Sequence, residues 1–394
     1  MPSSLANVPV GVLGAGAMGT GIAHVALRAG HAVVLADVRG DAVQRARGTL
    51  AVALARDAAK GRLTHGAADA ALAGLATTTA DQLDAFAGCG VVVEAIVEDL
   101  AVKRALFAAL EAHVADAAVL ASNTSSLSIA SIAGVCRRPG RVLGMHFFNP
   151  AAVLPLVEVV PALATDPAVV HEVRALVDGW GKTTVLAADT PGFIVNRVAR
   201  PFYGEALRIV DERLADAATV DWSMRERGGF RMGPFELMDF IGHDVNFSVT
   251  RSVYEQTFGD PRYRPSLTQQ RLVEAGRLGR KSGRGFYDYA EGATRPEPDC
   301  DETVGHTVVR RVLAMLVNEA ADAVHWGIAT AADVELAMTA GVNYPRGLLA
   351  WGDLLGPAAV AAEVDALRER YQEDRYRVSP LLRRVAREGG RLAP

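Results

Sequence analysis

A doubly wound α/β sheet followed by two duplicated all-α domains is the architecture this sequence predicts, on three observations. Short apolar runs alternate with helical patterns through the first half of the chain. Near residue 190 the alternation stops and only helical periodicity follows. The helical half then repeats itself at a constant offset.

The first strand is Val8 to Leu13, which breaks into Gly14-Ala15-Gly16-Ala17-Met18-Gly19 and then a helical pattern with Ile22, Val25, Ala26 and Leu27 on one face. Here Gly14 serves the tight bend, Gly16 the close approach of backbone to a ligand, and Gly19 the packing of helix on strand; a pyrophosphate would lie on the helix N-terminus. Such a G-x-G-x-x-G turn between strand and helix marks a dinucleotide-binding, Rossmann-type sheet. Ala32 to Ala36 is a second strand ending in Asp37, 18 residues past Gly19. An acid there binds the adenosine ribose hydroxyls and repels a 2′-phosphate, so NAD is expected over NADP; Arg39 is the nearby group that could accept that phosphate. Gly40 to Lys60 predicts a long helix with Arg56 and Lys60 on one face, either simply solvated or holding a polyanionic tail of the substrate.

Val91 to Glu94 and Ala118 to Ala121 are further buried strands, followed by loops carrying Glu98 and Ser122-Asn123-Thr124-Ser125-Ser126, with Lys103 on the helix between. Loops after the carboxyl ends of such strands line the ligand crevice, and His146 falls on the same edge. One of Ser125 and Ser126 is expected to cap a short helix at 127–132, and the other to face the crevice. Asp166 to Gly179 is helical, Thr183 to Ala187 is the last strand, and Thr190-Pro191 reads as a helix N-cap and first turn. Asn196 then sits mid-helix, either in an interhelical hydrogen bond or as a donor to the crevice.

In the helical half a shift of 114 residues aligns Arg197 with Arg311, Glu205 with Glu319, Met224 with Met338, Gly233 with Gly347, Asp239 with Asp353 and Gly242 with Gly356. The expected division is therefore a nucleotide-binding domain at 1–189, a first helical copy at 190–292 and a degenerate second copy at 300–394. The join is an acidic, Pro-containing linker. The second copy has Arg310 where the first has Asn196.

Composition narrows the function. The 394 residues carry a net charge of −4 and are 50% hydrophobic, with no basic run that would bind nucleic acid or a membrane surface. The opening MPSSLANVPV lacks the pattern of a secretory leader, and no long apolar span follows. Cys89, Cys136 and Cys300 are scattered, with neither a metal-ligand spacing nor a disulfide framework. A soluble, reducing, cytoplasmic setting is expected.

The stretch with chemical content is Gly144-Met145-His146-Phe147-Phe148-Asn149-Pro150, between two β-rich runs. His146 falls where a strand gives way to a loop, and an imidazole there can trade protons with a substrate near neutral pH. Twelve residues on, Glu158 interrupts the apolar run Leu156 to Val160. Buried there it needs a partner, and His146 is the obvious one. The plainer reading makes His146 a core histidine bonded to backbone and Glu158 a solvated strand residue.

Taken together, GAGAMG, VVEAIVED (92–99), SNTSSLSI (122–129), GMHFFNP, LVEVV (156–160), DTPGFIVNR (189–197) and GRKSGRGFYDY (279–289) make the chain resemble the 3-hydroxyacyl-CoA dehydrogenase family along its whole length. The tandem helical copies and GVNYPRGLLAWGD (341–353) look most like its longer bacterial members, including 3-hydroxyadipyl-CoA dehydrogenases; those carry an extra segment between the copies, where this chain has a short linker. The resemblance implies NAD-dependent oxidation of an (S)-3-hydroxyacyl-CoA, with His146 as general base and Glu158 orienting it. Ser125 and Asn196 would hold the substrate oxygens. NAD would be bound by Gly14, Gly16, Met18, Gly19, Asp37, Glu98, Lys103 and Asn123, and the CoA phosphates by Arg56 and Lys60. No metal is implied. It also implies a pseudo-dimer within one chain, monomeric or homodimeric overall. The rival readings are a hydroxy-acid or sugar-acid dehydrogenase of the same fold without CoA, and a non-catalytic NAD-binding protein.

Overall fold

The computed structural model describes residues 4–394, so the first three residues of the stretch read above for a leader lie outside it. It divides into two compact units, Met1–Thr190 and Pro191–Pro394.

The first unit is built on one eight-stranded sheet: β1 (Val10–Leu13), β2 (Val33–Asp37), β3 (Leu75–Thr79), β4 (Val91–Glu94), β5 (Val119–Ser122), β6 (Val142–Phe147), β7 (Leu156–Pro161) and β8 (Thr183–Leu186). Their order across the sheet is β3-β2-β1-β4-β5-β6-β7-β8. Every neighbouring pair is parallel except β6 with β7. The crossovers are α1 (Ala17–Arg28), α2 (Gly40–Ala59), α3 (His65–Ala73), α4 (Leu100–Leu110), α5 (Ile129–Ala133) and α6 (Pro167–Gly179). Valine-rich β1, β4 and β5 are buried at every position, as parallel strands covered on both faces must be. The order reverses between β1 and β4, so the ligand crevice of such a sheet lies at their carboxyl ends.

Two local expectations are corrected. Thr190 caps no helix: Pro191–Ile194 form a turn with Gly192 at φ 79° and Phe193 at φ 47°, and helix begins at Val195. Burial of the Phe193 side chain, 1% exposed, holds a backbone conformation that local preference disfavours. Likewise neither Ser125 nor Ser126 caps the helix after β5. Ser128 does, accepting from Ser131 N at 3.1 Å, while the Asp189 carboxylate accepts from Ile129 N and Ala130 N at 2.9 and 2.7 Å.

The second unit is helical apart from the isolated bridges of Arg284 with Gly279 and Asp288: α7 (Val195–Val198), α8 (Arg200–Asp211), α9 (Ala217–Trp222), α10 (Pro234–Ile241), α11 (His243–Gln256), α12 (Leu267–Glu274), α13 (Glu302–His325), α14 (Ala331–Leu336), α15 (Leu348–Leu355), α16 (Pro357–Tyr371) and α17 (Pro380–Glu388). Shifted by 114, α9 falls on α14 and α10 on α15, and the π-turns Ser223–Arg227 and Ala337–Gly341 coincide. Residues 311–323 of α13 are buried throughout, which makes it the central helix of this unit.

Across that centre the ion pairs are exchanged in the manner of a two-fold axis. Arg197 Nε donates to Glu319 Oε1 at 2.9 Å, and Arg311 Nε to Glu205 Oε2 at 3.0 Å. The 114-residue shift turns each pair into the other. Tyr263 donates to Glu319 and Tyr376 to Glu205. Phe230 meets Tyr344, its own counterpart under the shift, edge-on at 5.0 Å.

A further pair gives this unit an acid limb. Asp260 accepts from Arg377 Nη2 at 2.6 Å and from Arg262 N at 3.0 Å. Burial by itself would raise its pKa, but the Arg377 hydrogen bonds and the Arg262 charge outweigh it and lower the pKa from 3.8 to about 2. A depressed carboxylate contributes stability above its unfolded pKa and loses it as pH falls through the folded one, here between about pH 4 and 2. At about 1.4 kcal/mol per pKa unit the contribution is about 2 kcal/mol. Urea melts at pH 6 and pH 3 should show Asp260→Asn losing less on acidification than the parent; equal losses would refute it.

Candidate active site

The glycine turn closes on contacts that admit no larger residue at two of its three positions. Gly14 has φ +104°, and a Cβ there would lie 2.3 Å from Ala95 O. A Cβ on Gly19 would lie 1.8 Å from Gly14 O. A Cβ on Gly16, by contrast, would meet nothing among the described residues within 4 Å. That is the space a pyrophosphate needs over the first turn of α1, where unsatisfied amides point outward. Met18 is half-buried on the same turn. Asp37, at the end of β2, accepts from Ala15 N at 2.8 Å and Arg39 N at 2.9 Å, which fixes its carboxylate against the turn. These residues fit an NAD adenosine-diphosphate half.

Beyond β4 lies a buried polar cluster. Glu94 is fully buried, and its Oε1 accepts from Lys103 Nζ at 2.6 Å and its Oε2 from Ser122 Oγ at 2.6 Å. Lys103, 1% exposed, also lies 3.3 Å from Glu98 Oε2. Glu98 Oε1 in turn accepts from Thr124 Oγ1, Ser125 N and Ser126 Oγ, so it pins the Ser-rich loop after β5. Burial would raise the Glu98 pKa, but Lys103 and these donors hold the carboxyl below its usual range. Glu94 was not singled out in the sequence, although an acid ending the run Val91-Val92-Val93 was the available signal.

Ser126 spends its hydroxyl on Glu98 at 3.2 Å, whereas the Ser125 hydroxyl has no partner among the described residues. Asn123 reaches sideways: its Oδ1 accepts from Phe147 N at 2.8 Å and ties the loop to the end of β6.

The register of β6 on β7 decides the rest. His146 and Glu158 are direct partners across this antiparallel pair, and the sheet's alternation points both side chains to one face. His146 Nδ1 and Glu158 Oε2 lie 2.6 Å apart. His146 is 5% exposed and Glu158 not at all. The histidine lies inside the strand, one residue before its end, and the Phe148 ring packs 4.5 Å from the imidazole. Because β6 runs parallel to β5, His146 stands at the same carboxyl edge as the glycine turn.

The remaining expected residues are placed as follows. Arg56, in the last turn of α2, and Lys60, its C-cap, are both exposed and have no side-chain partner among the described residues. Between them Asp57 is buried against His24 at 2.9 Å. Asn196 lies in α7 of the second unit, and its backbone oxygen accepts from Arg200 Nε at 2.6 Å. Among the described residues no group of three metal-ligating side chains converges, and no helix is long and apolar enough to cross a membrane.

A sheet of this order, a glycine turn and a histidine–carboxylate pair at its carboxyl edge define the class: an NAD-dependent dehydrogenase. The chain belongs to the 3-hydroxyacyl-CoA dehydrogenase family. Residues 9–190 match the family's NAD binding domain, and residues 192–289 and 307–392 each match its C-terminal domain. The chain is 37% identical to the 3-hydroxyadipyl-CoA dehydrogenase of Escherichia coli (strain K12), over 96% of its own length and 97% of the relative's. It is 41% identical to the 3-hydroxybutyryl-CoA dehydrogenase of Bradyrhizobium diazoefficiens over 71% of its length and 94% of the relative's. Among solved structures, a 3-hydroxybutyryl-CoA dehydrogenase from Escherichia coli K12 superposes with a TM-score of 0.91 at 36% identity, covering 97% of this chain and 98% of that one.

Proposed function

We propose that this chain oxidises the C3 hydroxyl of a short (S)-3-hydroxyacyl-CoA, with His146 as the base. The observation that carries the reading is the 2.6 Å contact of a buried imidazole with a buried carboxylate at the edge where the glycine turn opens. With Nδ1–H donated to Glu158, the imidazole carries its lone pair on Nε2, the atom that takes the hydroxyl proton. Glu158 fixes that tautomer and stabilises the imidazolium as it forms. The Ser125 and Asn196 side chains hold the substrate oxygens. NAD, when bound, supplies the hydride acceptor. Asp37 holds its adenosine ribose; Glu98, Lys103 and Asn123 keep the crevice loop in shape. Arg56 and Lys60 offer the CoA phosphates a cationic, solvated face.

The acyl group is short, in line with the hydroxybutyryl and hydroxyadipyl esters named for the relatives. The setting is cytoplasmic. The second helical copy occupies, within the chain, the place a second subunit would take beside the first.

Asp37→Ala tests the cofactor half. It should weaken NAD binding about 10-fold or more, the worth of hydrogen bonds to a charged acceptor, with kcat little changed. Titration calorimetry checks it; unchanged NAD affinity would remove Asp37 from the site. Stabilisation against heat by acetoacetyl-CoA, but not by acetoacetate, checks the CoA half.

A further inference from the structure

Six arginines are buried among the described residues, and five of them sit on carboxylates. Arg141 reaches Glu111, Arg197 and Arg262 reach Glu319, and Arg311 and Arg375 reach Glu205. Arg200, 6% exposed, has no carboxylate within ion-pair distance among the described residues. Its Nε donates to Asn196 O at 2.6 Å and its Nη1 to Thr250 Oγ1 at 3.0 Å, both neutral oxygens, and Nη2 has no partner among the described residues. The ionisable groups acting on it are the phenols of Tyr203 and Tyr344. Tyr203 lies under the guanidinium at 5.0 Å, and the Tyr344 hydroxyl is buried without a hydrogen bond. The Phe202 ring, 5.5 Å from Tyr203 and 5.7 Å from Tyr344, completes an aromatic wall.

A buried cation without an anion is costly, and a planar guanidinium with a spare N–H matches a carboxylate. An aromatic wall with a spare phenol beside it suits a methylene chain that ends in such a group.

We propose that Arg200 is the specificity residue for an acyl chain with a carboxylate at its far end, and that it binds the terminal carboxylate of a six-carbon dicarboxylic 3-hydroxyacyl-CoA. The assignment rests on the reading of Asn196 as a ligand of the substrate's oxygen. Arg200 follows Asn196 by four residues, about 6 Å of helix rise, and its side chain turns back onto the Asn196 carbonyl. From C3 to the terminal carboxylate carbon of such a chain are three C–C bonds of about 1.5 Å each, an extended span of about 4 Å. The C3 oxygen and the far carboxylate are thus close enough together to be held by two residues one helical turn apart.

The test uses the full-length protein with two esters of equal length, 3-hydroxyadipyl-CoA and 3-hydroxyhexanoyl-CoA. A charge-assisted hydrogen bond favours the dicarboxylic ester by about 30- to 100-fold in kcat/KM. In Arg200→Met this preference should disappear, and Arg200→Lys should retain part of it. A parent enzyme that handles both esters equally, or prefers the hexanoyl ester, overturns the assignment even if the variants fail to fold. So does a variant that loses equally on both, the signature of a contact to the CoA phosphates or of general damage. Oxidation of neither ester would instead overturn the dehydrogenase reading, and this assignment with it.

Discussion

His146→Gln is expected to lower kcat by about 10³- to 10⁴-fold and leave NAD affinity within about twofold. Glutamine keeps much of the volume and one hydrogen-bonding end, so the Glu158 carboxylate retains a donor in a place that is otherwise fully buried. What it lacks is a basic nitrogen, so the hydroxyl proton has nowhere to go. The glycine turn and Asp37, which would hold the adenosine half of NAD, lie after β1 and at the end of β2, and the dyad on β6 and β7. The two functions should therefore separate cleanly. Glu158→Gln should cost nearly as much in kcat, because an amide opposite Nδ1 neither fixes the tautomer nor stabilises imidazolium. Single-turnover formation of NADH at 340 nm (about where its absorbance is read), beside NAD titration, measures both quantities. Turnover of His146→Gln within 10-fold of the parent would remove the imidazole from the reaction.

Much of this site was legible because it depends on alternation and spacing. An apolar strand interrupted by one acid, with a histidine twelve positions earlier across a hairpin, already pairs the two residues. The glycine turn was legible for the same reason, since its three glycines keep a fixed spacing, and Gly14 and Gly19 each answer a contact of their own. What escaped depends on partners that lie outside the element itself. Lys103 is buried only because Glu94 and Glu98 neutralise it, and neither lies on its helix. The cap of α5 comes from Ser128 together with Asp189, about 60 residues on, which no local pattern of serines reveals. β3, with Ala76 and three threonines behind the alanine-rich α3, lacks a hydrophobic period because it is the half-exposed edge of the sheet. Asp37 was read as a ribose ligand, while its hold on the Ala15 amide, which sets the carboxylate's place, is visible only in three dimensions.

In the helical unit, Glu319→Ala should be more damaging than its counterpart Glu205→Ala, despite the exchange symmetry. Among the described residues, Glu319 is the only carboxylate within ion-pair distance of Arg197, a buried guanidinium. Arg311, the matching arginine, keeps Glu212 at 2.8 Å when Glu205 is removed. Arg262 similarly keeps Asp322 and Asp260. Removing one partner of a buried pair costs about 3–5 kcal/mol, chiefly through the charge left behind. For a unit of this size that corresponds to a melting temperature lower by about 10 °C, with a smaller drop for Glu205→Ala. Calorimetric scans of the two variants decide whether the unsupported arginine is the cause; equal drops would say that it is not. Ending the chain before α13 is the limiting case. It removes Glu319 and the helix buried along 311–323, and it leaves Arg197, Tyr263 and the covered face of α8 without their counterparts. Such a face binds its own kind or aggregates, because the exchanged pairs are self-complementary: a second truncated molecule can offer Glu205 to Arg197. Sedimentation of residues 1–299 should therefore show dimers or larger species, and a soluble monomer with an unshifted melting temperature would mean that the second copy does not stand in for a subunit.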